Sequence, residues 1–300
     1  MIIHQKLIMG LPENVLGIFL MMVMVIVSLL LTGLVKLAGS EIDFRIIMAG
    51  RFLFSLPLIY FIAWRVRGKN LFLIKSKLTL FGRISIGLIG ICLWFSAIKF
   101  ADFGQVTALT QSSAVFITLL APIFLFEKIG IWRGGAVFMG LFGVVLITNP
   151  FDGPISIGIF FAILSAITSA ILSILLRKLG QTDEPTTVAL WHNTIGTIIF
   201  ILSLSVNTPQ NINFDFKTLL ILLGLGICGS LLQLSFTYAF KFGEAVVLAP
   251  IRYLAVPGAV IIGILIWDEI PAKIEIIGCI ITILSCLVIT WREILKKKNY

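Results

Sequence analysis

The chain has few charged residues and no long polar stretch. Only 12% of its 300 residues are charged, against roughly 25% in a typical soluble domain, and 59% are hydrophobic. The polar stretches are too short to fold as a soluble domain of their own. Apolar runs instead recur along the whole chain, and this pattern predicts a polytopic membrane protein.

Motifs of catalysis and of ATP hydrolysis are also missing. The sequence has two histidines, no HExxH, no P-loop, no Ser/His/Asp set and no paired acids on one helix face. We therefore expect no enzymatic activity, no metal and no cofactor. An alternative class stays open, a polytopic membrane enzyme acting on a lipid or isoprenoid substrate. Such an enzyme would need acids or histidines gathered at one membrane interface.

The surplus of positive charge is explained by membrane topology. The formal net charge is +9, and basic residues collect in loops on the cytoplasmic side of membrane proteins. With a cytoplasmic N-terminus, 16 Lys and Arg residues, Arg83 among them, fall on that side and 4 on the other. We expect a multi-pass protein of the bacterial inner membrane with both termini in the cytoplasm and no nucleic-acid partner.

The apolar runs predict an all-α integral membrane protein with ten transmembrane helices. In lipid the backbone must satisfy its own hydrogen bonds, so each run is expected to be a helix. Most runs are close to the roughly 20 residues that span a bilayer. The predicted spans are about 15–37, 45–64, 79–99, 103–126, 131–149, 155–176, 187–206, 217–239, 245–267 and 273–291.

A weak internal repeat divides the chain into halves at 10–150 and 151–295. A shift of 142 residues places AIKFAD (97–102) on AFKFGE (239–244) and Glu127 on Glu269 without a gap. Each half holds five predicted spans, and because five is odd the second half enters the membrane from the opposite side. Inverted five-helix repeats with a central site are typical of secondary transporters.

The sequence also resembles a known family. The segments APIRYL and GILIWDEIP, the A-x-K-F…E pattern that closes each half, Lys36, and Arg51 in AGRFLFSLPLI are similar to the EamA-type members of the drug/metabolite transporter superfamily. The first span departs from the family, since it carries Gly33 alone where a Trp-Gly-Ser break is usual. The resemblance implies that small organic metabolites are moved by alternating access. Relatives that carry APxRY include S-adenosylmethionine uptake proteins.

Arg252 is the leading candidate for the substrate site. A charge at the centre of a span costs about 2.5–3.5 kcal/mol on insertion scales, so Arg252 should face a water-filled cavity or a partner. Its guanidinium would suit a carboxylate or phosphate of the substrate, whereas the alternative is that it pairs with a buried acid or a helix C-terminus. Pro250 and Pro257 open the backbone around it. They are expected to form a hinge, or else a simple packing kink.

Other polar and aromatic residues in the spans are candidates for substrate contact. Each has a structural alternative, since a polar group in a span also serves helix contacts. An indole in mid-span can stack on a ring or a cation, and a histidine can carry a proton. The candidates are Tyr253, Trp94, Gln111, Thr110, Trp191, His192, Gln233 and Tyr238.

Charged residues near the ends of spans complete the set. Lys36 and Arg51 either attract an anionic substrate or pair with Glu41 or Asp43. Glu127 and Glu269, which match in the repeat, are expected to be structural. We expect a monomer in contact with membrane lipid that binds a small-molecule substrate. Proton coupling, the direction of transport and the substrate itself stay open.

Overall fold

The computed structural model describes residues 13–38, 42–125, 131–148, 156–206, 215–243 and 248–298. These residues form helices and no strand. The α-helices are α1 (Glu13–Ala38), α2 (Phe44–Arg67), α3 (Lys77–Phe100), α4 (Phe103–Gln111), α5 (Ser113–Leu125), α6 (Ile131–Thr148), α7 (Ile157–Thr182), α8 (Pro185–Val206), α9 (Phe216–Phe242), α10 (Ala255–Trp267) and α11 (Lys273–Lys298). Short 3₁₀ helices cover Gly68–Asn70 and Ala249–Leu254.

Six of the described helices are long and apolar enough to cross a membrane, namely α1, α2, α3, α7, α8 and α9. They fall on the predicted spans one, two, three, six, seven and eight. The predicted fourth span is instead two helices, α4 and α5, and the ninth is the 3₁₀ helix followed by α10. The all-helical membrane fold is therefore confirmed, while the total of ten spans stays a prediction.

Helix boundaries repeat with the shift seen in the sequence. Two helices end at Phe100 and Phe242, which are 142 residues apart, and α5 and α10 begin at Ser113 and Ala255, again 142 residues apart. The residues before these two starts interrupt a span in each half. The two halves thus share an interruption at the same position.

The chain forms two compact units. Unit one comprises residues 1–84 and 178–242, and unit two comprises residues 85–177 and 243–300. Each unit takes residues from both sequence halves, because α1 and α2 of the first half pack with α8 and α9 of the second. The halves at 10–150 and 151–295 describe the repeat in the sequence and stay a prediction as domain boundaries.

In unit one, α9 packs against α1, α2 and α8. Small residues allow these helices to approach closely, as is usual in membranes. A Cβ added to Gly226 would lie 2.7 Å from the backbone carbonyl carbon of Phe54, and one added to Gly50 would lie 2.7 Å from the side chain of Leu222. Buried apolar side chains such as Ile59 and Leu190 fill the space around them.

A buried aspartate closes one end of unit one. The Asp183 carboxylate accepts hydrogen bonds from the backbone N–H of Lys75 (2.6 Å) and Ser76 (3.1 Å) and from the Thr182 hydroxyl (2.8 Å). Burial alone would raise the pKa of Asp183, but these hydrogen bonds to the charged form outweigh it and lower the pKa. The turn between α7 and α8 is thereby fixed to the residues just before α3.

In unit two, α6 packs along α11, and α4 packs against α10. The first pair approaches at two glycines, since a Cβ on Gly278 would lie 2.7 Å from the carbonyl oxygen of Gly143. The second pair joins the interrupted span of one half to that of the other. Both interruptions therefore lie in unit two.

Candidate functional site

Arg252 lies at the interruption of the ninth span. It belongs to the 3₁₀ helix Ala249–Leu254, just before α10 begins, and is 6% exposed. One terminal nitrogen of its guanidinium donates to Oγ of Ser169 at 3.1 Å. Ser169 is near the middle of α7, a helix of 26 residues. At a rise of 1.5 Å per residue the contact is about 18 Å from either end of that helix, so the charge is held deep in unit two.

The matching interruption of the fourth span lies at Ser112. Its N–H bonds to carbonyl oxygens of the preceding turn, and its hydroxyl donates to the Leu109 carbonyl at 2.6 Å. The Thr110 hydroxyl donates to the Val106 carbonyl at 2.7 Å. The buried hydroxyl of Ser113 has no hydrogen-bond partner among the described residues. This half thus contributes neutral hydroxyl groups where the other contributes Arg252.

Three predicted site residues at these interruptions have side chains outside the described part of the structure. They are Gln111, Tyr253 and Pro250. Pro257 is exposed and lies in the first turn of α10. A helix N–H in the first turn has no partner four residues earlier within the helix, so a proline fits there without a kink. A hinge at Pro250 and Pro257 stays a prediction.

Trp94 and Glu269 lie elsewhere in unit two. The half-buried Trp94 packs edge-on against Phe95, with ring centroids 5.0 Å apart. Glu269 follows α10 and lines a small open cleft, whose other polar residues include Asp102, Gln105 and Glu275. Gln105 Nε2 donates to Glu275 at 3.0 Å. Glu127, the repeat mate of Glu269, lies outside the described residues.

Unit one brings two other predicted residues together, Arg51 and His192. Arg51 is 7% exposed and His192 is 2% exposed. The guanidinium carbon of Arg51 lies 5.4 Å from the ring centroid of Phe52, and the same ring meets His192 edge-on at 5.5 Å. A cation and an imidazole are thus held on one aromatic side chain inside the helix bundle.

A third buried cation of unit one, Arg83, is not among the candidate residues predicted from the sequence. It was counted with the charges that flank the spans, but the structure buries it to 1% exposure. The charges of Arg51 and Arg83 act on each other and on His192. The helical spacing of the sequence could have indicated that Arg83 is buried, because Leu80, Arg83 and Ile84 are all buried and lie on one face of α3.

The remaining predicted residues of unit one bind protein groups. Trp191 Nε1 donates to the Phe72 carbonyl at 3.1 Å, and Gln233 Nε2 donates to the Thr237 hydroxyl at 3.3 Å. The Tyr238 hydroxyl donates to Glu184 at 3.2 Å, and Glu184 also pairs with Lys241 at 2.9 Å. Lys36 is half-buried in the last turn of α1. Substrate contact by these residues stays a prediction.

The buried polar groups at these positions are suited to the recognition of anionic and hydrogen-bonding groups. No group of three His, Cys, Asp or Glu residues that could hold a metal ion occurs in the described part of the chain. Buried guanidinium groups and hydroxyls prevail instead. Such groups bind anionic and hydrogen-bonding solutes without reacting with them.

Comparisons with known proteins agree with this reading. The chain is 28% identical over 218 residues to a riboflavin transporter of Vibrio cholerae, covering 72% of each chain. It is 28% identical over 260 residues to an S-adenosylmethionine uptake transporter of Rickettsia conorii, covering 86% of each chain. A protein crystal structure matches with a TM-score of 0.70 at 16% identity, covering 92% of this chain and 96% of that chain; it shows the fold alone.

A family model decides the class. The model of the EamA-like transporter family matches residues 15–149 and again residues 156–291. The resemblance to the drug/metabolite transporter superfamily is thereby confirmed, as is the expectation that the chain is not an enzyme. The family match excludes the alternative of a membrane enzyme that acts on a lipid. The chain belongs to the EamA-like transporter family and is a multi-pass membrane transporter of small metabolites.

Proposed function

We propose that the chain is a secondary active transporter of the inner membrane that moves a small organic metabolite with an anionic group by alternating access. The observation that carries this proposal is the buried Arg252 on an interrupted span, backed by Ser169 near the middle of α7. Interrupted helices near the bilayer midplane form the substrate sites of many transporters with repeated halves.

The charge of Arg252 narrows the substrate class. A buried guanidinium costs free energy in lipid, and a carboxylate or phosphate of the substrate would offset that cost through two parallel hydrogen bonds. The hydroxyls of Ser112 and Thr110 lie at the matching interruption and suit neutral polar groups of the same solute. An amino acid or a compound similar to S-adenosylmethionine has a carboxylate beside other polar groups.

The relatives' names supply two substrates for comparison. One relative is a riboflavin transporter and another an S-adenosylmethionine uptake transporter. Riboflavin has no carboxylate or phosphate, whereas S-adenosylmethionine has a carboxylate. The buried Arg252 therefore favours the second type of substrate. We place both termini in the cytoplasm and propose a monomer, with a proton as one candidate for the coupling ion.

Uptake into proteoliposomes tests the proposal. Radiolabelled S-adenosylmethionine, amino acids and riboflavin are supplied outside, with and without a pH gradient. Arg252→Ala should abolish uptake of a carboxylate-bearing substrate, and Arg252→Lys should lower it at least tenfold because lysine lacks the planar fork.

The control for this assay is Lys99→Ala, which removes an exposed positive charge at the end of α3. It should leave uptake within about twofold of the wild type, since single exposed charges contribute little. Uptake of riboflavin alone, or full activity in both Arg252 variants, would contradict the anionic substrate.

A further inference from the structure

A second group of buried cations lies in unit one, apart in the sequence from Arg252. Arg83 is 1% exposed, in the second turn of α3. Its Nε and one terminal nitrogen have no hydrogen-bond partner in the part of the chain that the structure describes. Buried guanidinium nitrogens without acceptors are costly, because each loses its hydrogen bonds to water.

The neighbours of Arg83 increase the free-energy cost of burying its guanidinium group. Arg51 is also buried, and the two positive charges repel each other. His192 is within the field of both, and its Nδ1 atom likewise has no hydrogen-bond partner among the described residues. Arg51 and His192 thus meet on the Phe52 ring, and the charge of the buried Arg83 acts on both of them.

The described acids of unit one do not neutralise Arg83. Asp43 binds Arg45, Asp183 accepts backbone N–H groups of residues 75 and 76, Glu184 binds Lys241, and Asp215 caps α9 at Thr218. A buried positive charge persists in proteins where an anion or an acceptor compensates it. The compensating group for Arg83 is therefore expected from outside the described chain.

The Arg51 side chain lies against α9 at Gly229. A Cβ added to Gly229 of α9 would lie 3.3 Å from Cγ and 3.4 Å from Nε of Arg51, so glycine is what allows the side chain to lie against α9. The Phe52 ring supports the guanidinium at 5.4 Å. A planar fork held on a ring keeps its N–H groups directed and loses little entropy on binding.

We propose that Arg51 and Arg83 bind an oxyanion, a phosphate or carboxylate group, inside unit one. Arginine forks bind such groups through paired hydrogen bonds, and two forks around one group satisfy the geometry of phosphate in particular. His192 Nδ1 adds a further hydrogen-bonding position. The anion is either that of a free solute or that of a lipid headgroup, and this site is independent of the substrate site proposed at Arg252.

The test is thermal unfolding of the purified protein in nanodiscs of phosphatidylcholine, with inorganic phosphate or with chloride at equal ionic strength. Phosphate at about 100 times its Kd should raise the ratio of folded to unfolded wild-type protein about 100-fold. Arg83→Met keeps an unbranched apolar side chain in place of the arginine stem and removes the charge. Its melting temperature in chloride should equal or exceed that of the wild type, and phosphate should not raise it further.

Two further variants sharpen the result. Arg83→Lys retains the charge but not the fork, so phosphate should stabilise it less than the wild type. Arg65→Met removes an exposed charge of the same helix as Arg51 and should respond to phosphate as the wild type does. Equilibrium binding of radiolabelled phosphate to the wild type gives a reading that does not depend on how any variant folds.

A second arm separates the two sources of the anion. Wild-type protein that is stabilised by phosphatidylglycerol in the nanodisc, and not by free phosphate, would assign the site to a lipid headgroup. Equal stabilisation of the wild type and Arg83→Met, or stabilisation of neither by phosphate and phosphatidylglycerol, would overturn the proposal. Since no step measures transport, an inactive transporter would leave this result intact.

Discussion

Gly143→Ala should weaken the contact between α6 and α11. A Cβ at Gly143 would lie 2.9 Å from the carbonyl oxygen of Gly278 and 3.0 Å from the backbone nitrogen of Thr282. Ordinary van der Waals contact begins at 3.4 Å, so the added carbon overlaps both atoms. Because both belong to the backbone of α11, no side-chain rotation relieves the overlap and the two helices must move apart.

The expected loss of stability follows from this geometry. Overpacking of a close contact costs about 1–3 kcal/mol, which lowers the ratio of folded to unfolded protein by roughly 5- to 150-fold. The exchange of glycine for alanine within a helix returns up to about 1 kcal/mol. A variant on the same helix without the overlap is needed to separate these two effects.

Gly135→Ala is that variant. Gly135 lies on α6, and an added Cβ would have no heavy atom within 4 Å. The two variants share the gain in helix propensity, so their stabilities should differ by about 1–3 kcal/mol. Unfolding by heat or by SDS in mixed micelles, followed by far-UV circular dichroism, measures the difference. If Gly143→Ala unfolds at the same point as Gly135→Ala, the close contact between α6 and α11 is refuted.

Two further predictions concern unit one. Asp183→Asn should destabilise the protein by about 1–2 kcal/mol at pH 7, since hydrogen bonds to a charged carboxylate are replaced by weaker ones. The pKa of Asp183 is lower in the folded protein than in the unfolded chain. The stability that the charged carboxylate contributes is therefore fully present above the unfolded-state pKa of about 3.9, and it is lost as the pH falls through the folded-state pKa. The melting temperatures of the variant and the wild type should therefore converge on acidification below about pH 4; a gap that is unchanged down to pH 2 would contradict the assignment. Trp191→Phe keeps a ring beside Phe72 but loses the bond from Nε1, which should cost about 1 kcal/mol in chemical unfolding. An unchanged midpoint would show that this bond contributes nothing.

Much of the fold follows from the sequence because lipid leaves the backbone few choices. Long apolar runs must be helices, and six of them fall on predicted spans. Gly140, Gly143 and Gly226 lie at close helix contacts, which is where small residues are typical in membrane helices. The matching start of α5 and α10 also follows the shift found in the sequence.

Other features depend on tertiary structure. The two prolines marked a break near Arg252, but the 3₁₀ helix ends at Leu254 and leaves Pro257 inside α10. Propensity alone does not decide which proline interrupts a helix, since a proline in the first turn is tolerated. Arg83 was misjudged for a similar reason, because a count of flanking charges does not show which face of α3 packs inward. The buried position of Asp183 likewise depends on tertiary structure, because its partners at residues 75 and 76 are more than 100 positions away in the sequence.

Transport by Arg252 variants tests the central claim most directly. Wild-type protein, Arg252→Ala and Lys99→Ala are reconstituted in parallel, and initial rates of uptake are measured with radiolabelled S-adenosylmethionine, a set of amino acids and riboflavin. The proposal predicts that wild type and Lys99→Ala take up a carboxylate-bearing solute and that Arg252→Ala does not. Equal uptake of such a solute by all three proteins would show that Arg252 does not bind the substrate.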